Sequence, residues 1–213
     1  MRDDGRIPGW LTLWTTALLL ALLASGAWWL GRNDLPDGFQ NEYEHLYTLT
    51  EAFFRARDEW LAEAWPALWH GYYPPLPHAI ASAGMSLLGR SREVATLSLA
   101  AVAAALLLFS TARLAQALAG SRVAALAVAL LAAWPGIFGN LRRYEPNVLL
   151  AALVAVAAAA LAGRRRAGRR ASPLLLGALC GLGMLADRLV FAVYLAIPLL
   201  SAAWRDLRPS PSP

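Results

Sequence analysis

The stretch WLTLWTTALLLALLASGAWWL, residues 10–30, decides the fold because it is a long apolar run without a charged residue. An α-helix crosses the hydrocarbon core of a bilayer with roughly 20 such residues. The whole chain of 213 residues agrees, since 58% of it is hydrophobic, only 15% is charged and its mean hydropathy is +0.46. This composition excludes a disordered chain and an ordinary soluble enzyme. It predicts an integral membrane protein.

Further apolar runs predict an all-α, polytopic membrane helix bundle of about six spans. The five runs after the first are residues 94–112, 123–141, 146–163, 172–186 and 189–204. The last two are separated only by Asp187 and Arg188, so we expect them to form a helical hairpin with this charged pair at its tip. A cleaved signal peptide is the alternative for the first run. The run continues past its small residues through two tryptophans, which favours an uncleaved anchor.

The arginines set the expected orientation, because short cytoplasmic connections carry an excess of basic residues. Residues 1–9 and the tail 205–213 are expected in the cytoplasm, with residues 94–204 forming five spans after the first. Residues 31–93 then form a long extracytoplasmic loop. The formal net charge is +5, but the arginines are scattered between apolar runs, so we expect no nucleic-acid partner.

The long loop differs from the rest of the chain. It holds all three histidines, and eight of the 14 acidic residues lie between positions 34 and 63. Aromatic and leucine side chains recur at helical spacing over residues 43–61, which predicts an interfacial helix. A second juxtamembrane helix is expected over residues 75–88, since proline suits the first turn of a helix. Most acids of the loop are expected to form a solvated helix face.

Two acids stand apart from that face. Asp37 and Glu42 lie between the end of the first span and the start of the interfacial helix. Glu42 and His45 are three residues apart and would share a helical face. A metal site formed by Asp37, Glu42 and His45 is an open alternative, although the spacing matches no strong ligand signature. His70 and His78, which flank the Pro-Pro element, are either structural or contact the substrate.

Four segments together resemble the N-terminal part of the GT-C superfamily glycosyltransferases, close to protein O-mannosyltransferases and the lipid A aminoarabinose transferase. They are residues 41–43 (NEY), 73–76 (YPPL), 140–146 (NLRRYEP) and 181–188 (GLGMLADR). The likeness covers essentially the whole chain from Trp10 to Trp204. Family members are usually longer, so the chain is expected to be a fragment, a truncated product or half of a split enzyme.

The resemblance implies an inner-membrane bacterial enzyme that moves a sugar from a polyprenyl-phosphate donor to a lipid, glycan or protein acceptor outside the cytoplasm. Such chemistry needs a carboxylate that deprotonates the acceptor or holds a divalent cation, Mg²⁺ or Mn²⁺. Glu42 or Asp37 is expected to fill this role. Asn41 stands where the family has an acid, and an amide cannot act as a base.

Arginine suits the phosphate of the donor through paired N–H groups. The candidate phosphate contacts are Arg142, Arg143 and Arg188. Further candidate substrate contacts are Glu145, Tyr73 and His45. Membrane lipids are the remaining expected partners.

Proteins of other classes remain as alternatives: a non-catalytic membrane subunit, a transporter, or an inactive fragment. A transporter would carry polar residues within its spans. The spans are nearly devoid of ionisable groups, and this favours an interfacial enzyme.

Overall fold

The structure is a computed structural model that describes residues 7–33, 50, 75–140, 142, 144, 146–166 and 173–186. Within these residues the regular elements are all helices. In chain order they are α1 (Gly9–Leu30), α2 (Pro75–Leu88), α3 (Arg92–Ala119), α4 (Ser121–Ala133), α5 (Pro135–Asn140), α6 (Pro146–Arg166) and α7 (Pro173–Ala186). The all-helical fold expected from the sequence is therefore confirmed over the described part of the chain.

Two of the described helices, α1 and α3, have the length and apolar composition of a membrane span. In α1 only 17% of the most apolar window is buried, and Leu13 and Leu20 are 72% and 60% exposed. In α3 half of that window is buried, so α3 is the central helix and α1 lies at the periphery. Large apolar side chains are exposed along α1. Their exposure fits a lipid environment, because water-soluble proteins rarely expose large contiguous apolar patches.

The third expected span, residues 123–141, is not one helix. α4 ends at Ala133, and Trp134 takes an extended conformation with φ −69° and ψ 122° before α5 begins at Pro135. A proline has no N–H and clashes with the preceding turn, and it also disfavours helical geometry at the residue before it. The expectation of one unbroken helix over residues 123–141 is therefore wrong, while a membrane crossing by α4 and α5 together stays a prediction. The 13 residues of α4 extend only about 20 Å, less than the hydrocarbon thickness.

The other expected elements agree to different degrees. α6 begins at the residue expected for the fourth span, and α7 covers the fifth expected run with 14 residues. α2 has the bounds expected for the second loop helix, while its position at the membrane surface stays a prediction, as does the count of six spans. The expected helix over 43–61, apart from Thr50, and the run 189–204 lie outside the described residues.

Contacts of α1 fix the directions of its neighbours. Near its start, Trp14 Nε1 donates a hydrogen bond of 3.2 Å to the carbonyl of Ala125 in the first turns of α4. Near its end, Gly26 approaches Leu97 in the first turns of α3. Helix α1 is therefore parallel to α4 and antiparallel to α3. This arrangement brings the end of α1, the start of α3 and the connection after α5 to one end of the bundle.

The core lies where α2, α3 and α6 meet. Its buried side chains include Ala81, Met85, Leu99, Ala103, Leu149 and Leu153. Small residues allow helix backbones to approach closely, and Gly84 allows such an approach between α2 and α3. A Cβ atom added at Gly84 would overlap the side chain of Ser98. This packing brings the first turns of α2 toward the connection that precedes α6.

Candidate functional site

Arg142 lies in the connection between α5 and α6, at the end of the bundle where α1 terminates. Its backbone N–H bonds to the carbonyl of Gly139 at 3.2 Å. Its side chain reaches across to α1, where Nη2 donates a hydrogen bond of 3.0 Å to Ser25 Oγ. The guanidinium carbon lies 5.3 Å from the ring centroid of Trp29, over the face of the ring. Two residues of one helix thus hold this half-buried cation in place.

The electrostatic surroundings favour a retained charge at Arg142. Burial lowers the pKa of Arg142, yet an arginine in a protein stays protonated. The C-terminal end of a helix carries a partial negative charge that stabilises a nearby cation. The face of the Trp29 ring adds a further attraction. A guanidinium in this position is suited to bind a phosphate, because it presents N–H donors in a planar array.

A second arginine–tryptophan pair lies at the same helix end. Arg32 stacks on the ring of Trp28 at 4.9 Å, and Trp28 is 59% exposed. Tryptophans concentrate at the boundary between hydrocarbon and water. The end of α1 therefore carries two adjacent tryptophans of the kind found at the membrane boundary, and an arginine stacks on each of them. Arg32 is exposed, and Arg142 is half-buried.

A buried polar cluster lies close to Arg142 along the chain. It consists of Thr50, His78 at the start of α2, and Tyr144 before α6, which are 0%, 4% and 2% exposed. Thr50 Oγ1 is 2.8 Å from His78 Nδ1 and 2.7 Å from the Tyr144 hydroxyl. The Tyr144 hydroxyl is also 3.2 Å from His78 Nδ1. The imidazole and phenol rings stack at 6.0 Å between centroids.

This cluster joins three separate stretches of chain. Thr50 comes from the long loop, His78 from α2, and Tyr144 follows Arg142 by two residues. Each of the two hydroxyl groups can donate one proton, and a neutral imidazole accepts at Nδ1 when its proton is on Nε2. In that tautomer Tyr144 can donate to Thr50, and Thr50 can donate to His78 Nδ1. Buried polar groups of this kind rigidify a structure when they are satisfied. The cluster therefore ties the segment that carries Arg142 to the start of α2.

Among the expected catalytic residues and phosphate contacts, the structure describes Arg142. It also describes His78, which is buried in the polar cluster, while His70 lies outside the described residues. The other expected site residues lie outside the described residues: Asp37, Glu42, His45, Tyr73, Arg143, Glu145 and Arg188. Sequence reasoning did not find Ser25 and Trp29 as partners of Arg142, nor Thr50 as a member of the cluster. Two tryptophans followed by an arginine after an apolar run were the available signal for the helix end.

The divalent cation expected from the sequence stays a prediction. Over the described residues, no group of three or more His, Cys, Asp or Glu side chains is placed to hold a metal ion. The expected ligands belong to the loop segment around residues 37–45, outside that part of the chain.

Comparison with known proteins adds one finding. The model of the family described as dolichyl-phosphate-mannose-protein mannosyltransferase matches residues 73–209, well over half of the chain. The match includes α2 to α7, and with them His78, Arg142 and Tyr144. No curated protein and no solved structure matches the chain.

Proposed function

The chain belongs to the dolichyl-phosphate-mannose-protein mannosyltransferase family, and on that premise we propose that it transfers a sugar from a polyprenyl-phosphate donor to an acceptor outside the cytoplasm. The family and the apolar helices make it a membrane glycosyltransferase of the GT-C type. The acceptor is a lipid, a glycan or a protein. The proposed location is a bacterial inner membrane, with the N-terminus in the cytoplasm.

The observation that carries this proposal is the placement of Arg142. A polyprenyl-phosphate donor keeps its chain in the bilayer, since each buried CH₂ contributes about 0.8 kcal/mol to anchoring. Its phosphate must then be met at the membrane boundary. Arg142 is held at the end of a membrane-spanning helix, beside an aromatic ring of the kind that marks this boundary. The guanidinium binds the donor phosphate there and stabilises the negative charge that develops as the sugar leaves.

The proposed chemistry also requires a carboxylate. Asp37 or Glu42 accepts the proton of the acceptor nucleophile or holds Mg²⁺ or Mn²⁺ beside the leaving phosphate. The attacking oxygen or nitrogen forms a bond to the anomeric carbon while the bond to the phosphate oxygen breaks. The proton goes to the carboxylate, and the electron pair goes to the phosphate. Further proposed substrate contacts are Arg143, Glu145, Arg188, Tyr73 and His45.

Donor binding by Arg142 is tested with Arg142→Gln and the matched control Arg32→Gln in the full chain. Both arginines stack on a tryptophan at the end of α1, but only Arg142 also bonds to Ser25. Loss of a bidentate phosphate contact costs about 2–4 kcal/mol in transition-state binding, a reduction of roughly 30-fold or more in kcat/KM. We expect that loss in Arg142→Gln and less than about threefold in Arg32→Gln. Equal activities of the two variants would contradict the proposed role.

The carboxylates are tested separately by Asp37→Ala and Glu42→Ala, with transfer from a polyprenyl-phosphate sugar measured in membranes. We expect one of them to lose about 10²-fold or more of kcat while it still binds the donor. Full transfer activity in both variants refutes the assignment. Dependence of the rate on added Mg²⁺ or Mn²⁺ after treatment with a chelator tests the proposed cation.

A further inference from the structure

The connection between α5 and α6 is fixed at two points that are only two residues apart. At the first point, the side chain of Arg142 contacts Ser25 and Trp29 of α1. At the second point, the hydroxyl of Tyr144 lies in the buried polar cluster, where it contacts two other segments of the chain. The connection therefore bridges α1 on one side and the start of α2 on the other.

A movement at one of these points reaches the other. Two residues of extended chain span at most about 7 Å, and only a few rotatable backbone bonds separate the Cα atoms of Arg142 and Tyr144. The backbone N–H of Arg142 is also bonded to the carbonyl of Gly139. If Tyr144 moved, the backbone of Arg142 would shift with it, and the guanidinium would reach α1 only in a changed orientation.

The cluster is a firm support for this connection. Its three side chains are at most 4% exposed, and hydrogen bonds are stronger where the local dielectric constant is low. The ring of Tyr144 is itself part of the hydrophobic core between α2, α3 and α6. The core therefore holds the ring, and the two contacts of the hydroxyl fix the direction in which the ring points.

We propose that Tyr144 is a positioning residue for Arg142, with Thr50 and His78 as the groups that hold its hydroxyl. The inference rests on the proposed function, because it gives the cluster a role in presenting Arg142 to the donor phosphate. A planar guanidinium binds phosphate through paired N–H groups, and this pairing depends on direction. A misplacement of about 1 Å can reduce a rate about 10²-fold. In this role the cluster acts through the backbone of Arg142.

The first test separates positioning from stability. Binding of polyprenyl phosphate to Tyr144→Phe is measured in nanodiscs of phosphatidylcholine, with Gly120→Ala as the matched control. Gly120 follows the last residue of α3 at the opposite end of the bundle, and its substitution is expected to destabilise the chain to a similar extent. Partial unfolding lowers the number of binding sites but leaves the Kd of the folded chains unchanged.

We expect the Kd to rise about five- to tenfold in Tyr144→Phe, because the guanidinium is present but displaced. In Gly120→Ala it should change by less than about twofold, since the connection after α5 is intact. Equal Kd values in the two variants overturn the proposal.

The second test uses a matched pair at Thr50. Thr50→Val removes the hydroxyl and keeps the size of the side chain, whereas Thr50→Ser keeps the hydroxyl and removes a methyl group. We expect the Kd to rise about fivefold in Thr50→Val and to stay within about twofold of the wild-type value in Thr50→Ser, because only the hydroxyl bonds to Tyr144 and His78. An equal rise in both variants would show that packing alone matters, and it would overturn the proposal.

A double-mutant cycle tests whether Tyr144 acts through Arg142. Once the guanidinium is absent, loss of its positioning residue has nothing further to displace. We therefore expect the double variant Arg142→Gln/Tyr144→Phe to bind polyprenyl phosphate with the Kd of Arg142→Gln, within about twofold. A further rise as large as that in Tyr144→Phe alone refutes this route.

A spectroscopic test requires neither donor nor turnover. The guanidinium of Arg142 stacks on the ring of Trp29, so a fluorine atom on that ring reports where the guanidinium lies. The full chain is labelled with 5-fluorotryptophan, and the fluorine resonance of Trp29 is assigned by its loss in Trp29→Phe. We expect Tyr144→Phe to shift this resonance in the direction produced by Arg142→Gln, and Gly120→Ala to leave it in place. An unshifted resonance in Tyr144→Phe overturns the proposal.

These measurements separate the inference from the proposed function. A wild-type chain that neither binds polyprenyl phosphate nor transfers sugar, but shows the fluorine shift in Tyr144→Phe, refutes the proposed function and supports the positioning of Arg142. A wild-type chain that binds the carrier and transfers sugar, with an unchanged Kd in Tyr144→Phe, refutes the positioning role and leaves the proposed function intact.

Discussion

Removal of the Tyr144 hydroxyl should weaken the fold by a defined amount. Tyr144→Phe keeps the buried ring and deletes two contacts, of 2.7 Å to Thr50 and 3.2 Å to His78. The 2.8 Å contact between Thr50 and His78 remains. A buried hydrogen bond contributes about 0.5–1.5 kcal/mol net, so we expect a loss of about 1–2 kcal/mol in the free energy of unfolding.

Thr50→Val provides a graded comparison within the same cluster. This substitution deletes the two shorter contacts and leaves only the 3.2 Å contact between Tyr144 and His78. The remaining bond is the longest of the three and hence the weakest. We therefore expect Thr50→Val to cost more than Tyr144→Phe, by about 0.5 kcal/mol.

Thr15→Val is the control for burial and for the substitution itself. Thr15 is as fully buried as Thr50, but its hydroxyl bonds at 2.8 Å to the carbonyl of Leu11 within α1. That bond joins no separate segments, and such bonds within a helix contribute little, so we expect a change below about 0.5 kcal/mol.

The measurement is reversible unfolding of the full chain in detergent micelles, followed by intrinsic tryptophan fluorescence. A loss of 1 kcal/mol lowers Tm by about 2–4 °C in a chain of this size. The reasoning fails if Tyr144→Phe and Thr50→Val have the same Tm as the wild-type protein. It also fails if Thr15→Val is destabilised as much as Thr50→Val, since burial alone would then explain the loss.

Three further variants test the packing of the helices. Gly84→Ala places a Cβ against Ser98 and should cost about 1–3 kcal/mol of stability, with much of the loss restored by the second change Ser98→Gly in a double-mutant cycle. Gly120→Ala introduces a side chain at φ +91° and ψ 172°, a region essentially reserved for glycine, and should lower Tm by an amount equivalent to about 1–3 kcal/mol. Trp14→Phe removes the bond to the carbonyl of Ala125 at a half-exposed position and should cost only about 0.5–1 kcal/mol in the same unfolding assay.

Helix positions were predictable from the sequence to the extent that apolar runs and caps were explicit. The starts of α2 and α6 agree with the sequence expectation because each has a proline at its first residue. α3 begins where Ser91 caps it, its side chain accepting from the backbone N–H of Val94. The interruption at Pro135 was visible in the sequence, and hydropathy averaged over the run concealed it.

The candidate site was predictable only in part. The residue types near positions 140–146 indicated a phosphate contact, and the structure places Arg142 from that segment at a helix end. Its partners Ser25 and Trp29 are more than 110 residues away in the chain. Spacing rules describe neighbours within one helix, so no periodic pattern could have paired them. The contacts of Thr50 with His78 and Tyr144 could not be predicted for the same reason.

The sequence by itself determined that this chain is helical and membrane-bound, because hydrophobicity and proline placement act locally along the backbone. Tertiary structure alone decided which faces meet. It set Arg142 on Trp29 and joined three distant polar groups into one buried cluster. Each of these depends on how side-chain shapes from separate helices fit together, and that fit has no signature within any single stretch of residues.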